Sequence, residues 1–461
     1  MKKNKEIKGS FRDPSGFLFI DEGLIYRQLN ISYKENYDQL INSGLYKKLL
    51  ELNLLIPHEE VDINLAKSEG AYKVIKPEFI TFISYPYEWC FSQLKDASLL
   101  TLQIQKEALK FNMSLKDCSA YNIQFYQGRP IFIDTLSFEK YNEGKPWVAY
   151  RQFCQHFLAP LALMSYKDIR LNQLFRIYLD GIPLDLASSL LPIRSHFSFS
   201  LLTHIHMHAK AQKYFANKVV NKRQHKISRL SFLWLIDSLE TAIKKLKWKQ
   251  SWTEWGAYYE DTNYLSSALE NKKQIVSEFL DKISPKIVWD LGANNGFFSR
   301  IASNNGIQTV SFDIDPVAVE RNYINSVKEK EKNILPLLLD LTNPSPNIGW
   351  ENRERRSLKK RRCADTVLAL ALIHHLAISN NLPFKKTAHF FYKICNSIII
   401  EFVPKNDSQV QRLLSTREDI FPNYTQQFFE EEFKRYFNII NCERIIDSKR
   451  TLYLMERKMN N

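Results

Sequence analysis

Hydrophobic and polar positions follow a regular pattern in the second part of the chain. From about residue 270, short apolar runs alternate with segments that have the spacing of amphipathic helices. The apolar runs predict six strands, at 286–290, 308–313, 334–339, 365–371, 397–402 and 450–456. Strands that alternate with helices are typical of a doubly wound α/β sheet, and we predict this fold class here.

The first part of the chain mixes β-like and helix-like patterns without that regularity. Its patterns predict two hairpins, at 16–29 and 123–134, and one buried strand, at 78–86. They also predict two helices, at 36–55 and 98–112. The Lys-rich, glycine-free stretch 210–250 predicts a helical connection. We therefore predict an α+β domain, a helical connecting region and an α/β domain, over 1–200, 201–270 and 271–461.

Composition places the chain among globular proteins. It has 461 residues, of which 44% are hydrophobic and 13% aromatic, enough for more than one packed core. No apolar run approaches the roughly 20 residues that cross a bilayer, and the basic start has no apolar core of a secretory signal. Six scattered cysteines without a CxxC pair are typical of reduced thiols. We expect a cytoplasmic location.

The net charge of +14 would suit an anionic partner. The segment 350–362 carries seven basic residues and is the best candidate for such a contact, although a solvated loop explains it as well. A nucleic-acid partner is not favoured, because no basic and aromatic recognition motif is present.

The stretch "KIVWDLGANNGFFSRIA" (286–302) has two glycines just after a predicted strand. In an open α/β sheet, ligands bind beyond the carboxyl ends of the strands, and glycine lets the backbone approach the ligand. Asp290, Gly292 and Gly296 fit this demand. The spacing differs from G-x-G-x-x-G, which makes a dinucleotide pyrophosphate less favoured.

The next two predicted strands also end in acidic residues. Asp313 follows the second strand, where a carboxylate can accept both hydroxyls of a ribose. Asp340 follows the third, where a carboxylate can accept the amino group of an adenine. Three acidic strand ends and a glycine turn together predict a pocket for an adenosine without phosphates.

These residues resemble the class I S-adenosylmethionine-dependent methyltransferases over about 280–456. The motifs that carry the resemblance are, in order, "VWDLGANNGFFS", "SFDIDP", "LLLDLTN", "ADTVLALALIHHL" and "SIIIEFVP", followed by "RTLYLMER" as an antiparallel last strand. The resemblance implies S-adenosylmethionine as cofactor. It implies that the methionine part passes Gly292, Ala293 and Gly296, with its ammonium at Asp290. It further implies that Asp313 binds the ribose and that Asp340 and Leu341 flank the adenine.

Methyl transfer needs a positioned acceptor and, for a hydroxyl or ammonium, a base. His374 and His375 follow the fourth strand and are candidates for the base, with His374 preferred. Alternatively, one of the two histidines caps the strand end and the other packs in the core. Glu401, after the fifth strand, is the next candidate, and a partner for a helix N-terminus is its alternative. The acceptor would be a small molecule, a glycan or a lipid-linked molecule, with its acceptor atom undetermined.

Two further patterns carry weaker interpretations. The aromatic stretch "TEWGAYYEDTNYL" (253–265) would suit a lid over a sulfonium, but a core cluster explains it more simply. His204 and His208 would share a helix face and could bind a metal. Because no third ligand is visible nearby, no metal site is predicted.

The segment "LKDCSAYNIQFYQGRPIFIDTLSF" in the first part resembles the catalytic core of the protein-kinase-like fold. Asp117, Asn122 and Asp134 match the spacing of its base and two magnesium ligands. The resemblance implies ATP and Mg²⁺. No glycine-rich loop is present, and Arg27 lies where the kinase lysine would be. A degenerate domain that binds substrate, or an unrelated α+β domain, explains the segment as well.

We therefore predict an S-adenosylmethionine-dependent methyltransferase preceded by a kinase-like or substrate-recognition domain. The alternative is a bifunctional or pseudo-kinase protein whose first domain binds ATP or substrate. In that case the methyltransferase fold would be its partner or scaffold.

Overall fold

The computed structural model describes residues 5–210, 227–249, 266–361 and 363–459. These residues form two compact units. The first contains the described residues up to Lys249 together with Asn347–Arg355, and the second contains those from residue 266 to Pro346 and from Arg356 onward. The predicted boundaries at 200 and 270 stay predictions, since parts of the predicted connecting region lie outside the described residues.

The first unit is an α+β structure. Its strands are β1 Lys5–Glu6, β2 Gly16–Asp21, β3 Leu24–Asn30, β4 His58–Val61, β5 Ala71–Pro77, β6 Met113–Leu115, β7 Ile123–Tyr126, β8 Arg129–Phe132 and β9 Phe138–Lys140. The first five form an antiparallel sheet in the order β1-β2-β3-β5-β4, and β6 pairs with β9 and β7 with β8. Both predicted hairpins are confirmed, as β2-β3 and β7-β8.

Helices cover most of the remaining first unit. Its α-helices are Lys34–Asn42, Leu45–Glu51, Phe91–Lys110, Tyr150–Phe153, Ala159–Tyr166, Leu184–Leu190, Phe199–Leu201 and Arg229–Lys245. Two π-helical turns are Cys154–Leu158 and Leu202–Met207. Its 3-10 turns are Ile31–Tyr33, Ile63–Leu65, Pro86–Glu88, Ala120–Asn122, Thr135–Ser137, Ile169–Arg176, Ile193–Phe197 and Trp350–Asn352.

Two expectations for the first unit need correction. The helix predicted over 36–55 is broken at Gly44, whose φ of +87° cannot continue a helix. The strand predicted over 78–86 is wrong. There the Gln124 side chain accepts the Ser84 N–H at 2.8 Å and donates to the Ser84 carbonyl at 3.0 Å, so an amide side chain takes the place of a neighbouring strand.

The segment Asn347–Arg355 lies in the sequence between two strands of the second unit but packs within the first. Ile348 and Arg355 pair through two backbone hydrogen bonds and close it into a narrow loop. The buried Glu354 carboxylate accepts hydrogen bonds from two nitrogens of the Arg12 guanidinium, at 3.1 and 2.8 Å. The guanidinium of Arg355 lies 4.4 Å from the ring centre of Tyr121. An ion pair and a cation–π contact therefore hold this loop in the first unit.

The second unit is built on one seven-stranded sheet. Its strands are β10 Ile287–Leu291, β11 Gln308–Asp313, β12 Ile334–Leu338, β13 Ala364–Ala369, β14 Cys395–Phe402, β15 Phe437–Arg444 and β16 Thr451–Arg457. They lie in the order β12-β11-β10-β13-β14-β16-β15, and all pairs are parallel except those made by β16. This confirms the doubly wound fold and its antiparallel last strand.

One strand of this sheet was missed by the sequence analysis. β15 carries a clear alternation of buried and exposed positions, which is the pattern of a half-buried strand.

Helices cover the sheet of the second unit. They are Ser266–Ile283, Ser299–Asn304, Pro316–Lys328, Phe384–Ile394, Ser408–Leu414 and Gln426–Lys434, with a π-helical turn at His375–Ser379 and a 3-10 turn at Leu358–Lys360. One buried core joins Val276 and Phe279 of the first helix to Val288, Leu368 and Ile399 of the central strands. Within the described residues, we find no helix with the length and apolar character to span a bilayer.

Candidate functional sites

The glycine turn of the second unit lies where the strand order of its sheet reverses. β11 and β13 pair with opposite edges of β10, so a crevice opens beyond the carboxyl end of β10. The backbone N–H groups of Gly292 and Ala293 both donate to the Phe312 carbonyl, at 2.9 Å each. Gly292 has a φ of +81°, which favours glycine at this position. The turn is therefore fixed to the neighbouring strand.

Gly296 is required for a second reason. A Cβ atom at this position, where φ is +80°, would lie 2.5 Å from the Asn322 Oδ1 atom. Asn322 is buried, and its amide donates to the Ser311 hydroxyl at 2.8 Å. The two glycines thus serve different contacts: Gly292 allows the turn, and Gly296 leaves room for a buried amide.

Asp290 is a buried carboxyl group at the carboxyl end of β10. It accepts the Ser299 hydroxyl at 2.6 Å. Burial raises the pKa of Asp290 to about 7, while the Ser299 hydrogen bond opposes this and the nearby Asp313 charge adds to it. A positively charged ligand group beside Asp290 would relieve this desolvation.

Asp313 ends β11 and supports the glycine turn. One carboxylate oxygen accepts the Asn294 N–H at 2.7 Å, and the other accepts the Asp315 N–H at 2.8 Å. Burial raises the pKa of Asp313 to about 6, although both N–H groups favour the charged form. The Ile314 N–H also favours the charged form. A carboxylate has about four acceptor positions, so it can accept ribose hydroxyls in addition to backbone N–H groups. The carboxylate of Asp313 therefore fits the ribose of an adenosine-type ligand.

Asp340 and Leu341 follow β12 and are partly exposed. The Asp340 carboxylate accepts the Thr342 N–H at 2.8 Å and the Thr342 hydroxyl at 2.6 Å. This side chain shapes the loop after the strand.

His374 and His375 begin the helical turn after β13, with ring centres 4.1 Å apart. His374 is buried, and no group of the described residues forms a hydrogen bond with its Nδ1 atom. Burial lowers the pKa of His374 well below its usual range, and the charge of Arg450 contributes. Burial also lowers the pKa of the less buried His375, to about 4. Both rings are therefore neutral and weakly basic at neutral pH.

Glu401 is fully buried on β14 in a network of charged groups. Its Oε2 atom lies 2.6 Å from the Lys272 Nζ atom and accepts the Ala371 N–H at 2.7 Å. Its Oε1 atom lies 3.3 Å from the Arg450 guanidinium, which also binds Asp407 at 2.8 Å. Both oxygens of Glu401 are thus engaged by protein groups.

The turn that Glu401 holds is strained. Ala371 has a φ of +48°, which is uncommon for a residue other than glycine. The next side chain, Leu372, lies 3.4 Å from the position of a Cβ on Gly292. Glu401 therefore fixes a turn that packs against the glycine turn.

Lys272 and Arg450 were missed by the sequence analysis. Lys272 lies on the apolar face of its helix, four residues after Ala268 and four before Val276, and the structure buries it. A lysine at such a position was a usable signal for a buried partner. Arg450 had no comparable signal, because it lies in a turn before β16.

The structure brings the three kinase-like residues together in the first unit. Asp117 accepts the Ser119 N–H at 2.9 Å and the Gln152 amide at 2.8 Å, and it interacts with Asn122 and Asp134. Burial is the main cause that raises the pKa of Asp117. Asn122 also donates to the Ser137 hydroxyl at 3.3 Å.

Asp134 is already bound by protein groups. Arg27, on β3, forms an ion pair with Asp134, and both side chains are largely buried. The Ser137 hydroxyl donates a hydrogen bond to the same carboxylate, and the Leu136 N–H donates a second one at 3.2 Å. The sequence placed Arg27 at the position of the kinase lysine, and the structure puts it against the aspartate of the proposed magnesium site.

The remaining candidates that fall within the described ranges do not assemble into a site. His204 contacts the hydroxyls of Tyr150 and Ser238, at 2.7 and 3.0 Å, rather than pairing with His208. In the described ranges no group of three or more His, Cys, Asp or Glu side chains could hold a metal ion. The basic segment 350–362 is divided between the two units, and Arg353 pairs with Glu351 at 2.8 Å. The aromatic stretch 253–265 lies outside the described residues.

Comparison with known proteins finds a full-length relative. The chain is 36% identical over 461 residues to the nodulation protein NoeA of Rhizobium meliloti (strain 1021). The match covers 98% of this chain and 96% of that protein. No protein-family model matches the chain.

Solved structures give weaker likenesses. They include magnesium protoporphyrin IX methyltransferase (ChlM) from Synechocystis PCC 6803 with bound SAH, with 15% identity, 44% of this chain, 93% of that chain and a TM-score of 0.31. The N-methyltransferase NodS from Bradyrhizobium japonicum WM9 has 9% identity and a TM-score of 0.31, and the match covers 42% of this chain and 98% of NodS. The bifunctional kinase-methyltransferase WbdD has 13% identity and a TM-score of 0.30. The match covers 43% of this chain and 41% of WbdD, so this chain spans less than half of WbdD. Scores of this size transfer no ligand or activity to this chain.

The Glu401 network predicts a large effect on stability. Glu401→Ala should lower the free energy of unfolding by about 3–5 kcal/mol, because it leaves Lys272 buried without a counter-charge. Urea unfolding followed by tryptophan fluorescence measures the loss. The exposed Glu418→Ala is the matched control and should change the free energy of unfolding by less than about 0.5 kcal/mol.

A double variant tests whether unpaired charge is the cause. Lys272→Met combined with Glu401→Leu removes both partners and should lose less stability than Glu401→Ala alone. Equal or greater loss in the double variant would contradict this explanation.

Proposed function

The chain belongs to the family of the nodulation protein NoeA, and we propose that it is an S-adenosylmethionine-dependent methyltransferase. The observation that carries this proposal is the pair of buried carboxyls, Asp290 and Asp313, on either side of a glycine turn at the reversal point of the sheet. Burial raises the pKa values of both carboxyls more than their present hydrogen bonds lower them, so the charged forms gain from a further cation or hydroxyl donor. The methionine ammonium and the ribose hydroxyls would supply those partners.

Each of these side chains has a distinct binding role in the proposal. Asp290 holds the ammonium, directly or through water. Gly292 and Ala293 let the methionine part pass close to the backbone, and Gly296 keeps the turn compact. Asp313 binds the ribose, and Asp340 and Leu341 flank the adenine. S-adenosylmethionine, when bound, supplies an electrophilic methyl group on its sulfonium.

The proposed role of Glu401 is positioning rather than proton transfer. Its two oxygens are held by Lys272, Arg450 and the Ala371 N–H, so it has little capacity to take up a proton from an acceptor. Through Ala371 it fixes the turn that carries Leu372 against the glycine turn. A fixed turn at this place limits the motion of groups that contact the methyl donor.

His374 and His375 are proposed to orient the methyl acceptor. Their lowered pKa values make them weak bases, while a neutral imidazole nitrogen still accepts a hydrogen bond. This favours an acceptor that approaches as a neutral nucleophile or as an existing anion. A small molecule, a glycan or a lipid-linked molecule can carry such a group. The name of the NoeA relative suggests nodulation as the setting.

Binding of S-adenosylhomocysteine tests the proposal. The purified chain should bind it in a calorimetric titration, and Asp313→Ala should bind at least about tenfold more weakly, because charged hydrogen bonds contribute roughly 1.5–3 kcal/mol. Asp281→Ala, an exposed carboxylate on the helix before the sheet, is the control and should bind like the unchanged chain. Absence of binding by the folded, unchanged chain would refute the proposal.

The pH dependence provides an independent test. Below the raised pKa values of about 7 and about 6, Asp290 and Asp313 take up protons and lose affinity for an ammonium and for hydroxyl donors. The affinity for S-adenosylhomocysteine should therefore fall as the pH is lowered from 7 to 5, by up to about tenfold per pH unit for each proton released on binding. Titrations in buffers of different ionisation enthalpy measure those protons. An affinity that stays constant over this range would contradict the assigned roles.

We also propose that the first unit is a kinase-like domain in which magnesium binding is suppressed. The observation that favours it is the Arg27–Asp134 ion pair, because kinases place a cation on the third strand and a metal-binding aspartate close by. Here Arg27 neutralises Asp134, and Ser137 and Leu136 occupy further acceptor positions on the same carboxylate. The domain would then serve to bind a substrate.

Titration with ATP, with and without Mg²⁺, tests this second proposal. We expect no magnesium-dependent binding to the unchanged chain, because Asp134 is neutralised. Magnesium-dependent binding that Asp134→Ala abolishes would instead support active phosphotransfer.

A further inference from the structure

Three large aromatic side chains of the first unit are exposed around one groove. Phe197 is 87% exposed, Phe199 77% and Trp234 68%. All three line a groove of about 680 Å³ together with Tyr166, Leu246 and other side chains. We call Phe197, Phe199 and Trp234 the aromatic rim. Contiguous exposure of large rings is uncommon on a protein that has no partner for them.

The backbone that presents the aromatic rim is fixed from below. Ser195 is buried and donates its hydroxyl to the Pro192 carbonyl at 2.6 Å. Leu201 is buried at the other end of the same segment. Trp234 lies on the helix Arg229–Lys245, whose opposite face buries Phe232 and Ile236. The exposure of the rings therefore follows from packed elements and not from a loose loop.

Positive charge lies beside the aromatic rim. Lys245 lines the groove. Lys244 precedes it in the chain, Lys247 and Lys249 follow it, and all three are exposed. The Arg194 guanidinium lies 5.5 Å from the ring centre of Tyr166, at the same groove. The exposed side thus combines aromatic rings with a run of cations.

The acidic side chains close to this surface are neutralised. Asp237, which lines the groove, lies 2.6 Å from the Lys106 Nζ atom. Glu240 pairs with Lys106 and, at 2.5 Å, with Lys244. The net field at the groove is therefore positive.

We propose that the aromatic rim and its lysines form a docking surface for an anionic lipid membrane. Aromatic rings insert at the boundary between headgroups and acyl chains, while lysines are attracted to anionic headgroups. An apolar protein partner would use the rings but would leave Lys245, Lys247 and Lys249 without a role, whereas Lys244 is paired with Glu240. The proposal does not depend on methyl transfer.

Vesicle binding by the full chain tests the proposal. The chain should float with vesicles of phosphatidylcholine that contain 30% phosphatidylglycerol, and it should bind about tenfold or more weakly to phosphatidylcholine alone. Raising the salt concentration from about 50 to about 500 mM should weaken the binding, because it screens the lysines. No binding to the anionic vesicles, or equal binding to both kinds, overturns the proposal.

Variants assign the binding to this surface. Phe197→Ser, Phe199→Ser and Trp234→Ser together should weaken binding at least tenfold. Trp350→Ser removes a ring that is equally exposed, at 68%, but does not line the groove, and it should bind like the unchanged chain. Equal weakening by Trp350→Ser, or full binding by the triple variant, contradicts the proposal.

A charge variant keeps the test independent of the folding of the triple variant. Lys245→Glu, Lys247→Glu and Lys249→Glu change only exposed residues and should abolish the preference for anionic vesicles. Sedimentation measures the oligomeric state of each variant. If the triple aromatic variant changes from dimer to monomer while vesicle binding stays the same, the rim is a contact between copies of the chain and the proposal is wrong.

Discussion

The second unit depends on one buried arrangement of charges, in which Glu401 lies between Lys272 and Arg450. A buried carboxylate is costly unless its charge and its lone pairs are both satisfied, and here two cations and one backbone N–H meet that condition. The arrangement joins a helix before the sheet, a central strand and the turn before the last strand. It therefore ties the antiparallel end of the sheet to the edge at which a ligand would bind.

The candidate cofactor site has the opposite character. Asp290 and Asp313 are buried like Glu401, but among the described residues their hydrogen bonds come from a hydroxyl and from backbone N–H groups, and the charge of Lys272 only partly offsets the burial of Asp290. Their raised pKa values are the physical expression of that difference. Carboxylates that are left with unrelieved desolvation are typical of functional sites, whereas the balanced charges at Glu401 are typical of a scaffold. The structure thus separates two kinds of buried acid that look alike in the sequence.

The first unit shows the same principle in a different fold. Asp117, Asn122 and Asp134 converge, yet Arg27 and Ser137 already satisfy Asp134. A metal ion would have to displace an ion pair that is largely buried. The loop Asn347–Arg355 adds a contact of the same kind, since it brings Glu354 to Arg12. Both contacts use residues that are distant in sequence.

The sequence by itself determined the doubly wound sheet, the glycine turn and the acidic strand ends. These features rest on local rules, namely the period of apolar positions and the backbone freedom of glycine, which act over a few residues. The antiparallel β16 was predicted from the resemblance to a known fold, and β15 was missed although its alternation is local.

Only the tertiary structure decided which of the acidic and basic residues are available for chemistry. Glu401 looked like a candidate catalytic residue that could bind an acceptor amine or hydroxyl, but Lys272 and Arg450 come from 129 and 49 residues away to bind it. The strand expected at 78–86 is replaced by contacts with Gln124, 40 residues further along the chain. Charge pairing and hydrogen bonding depend on distance in space, and no local pattern contains that distance.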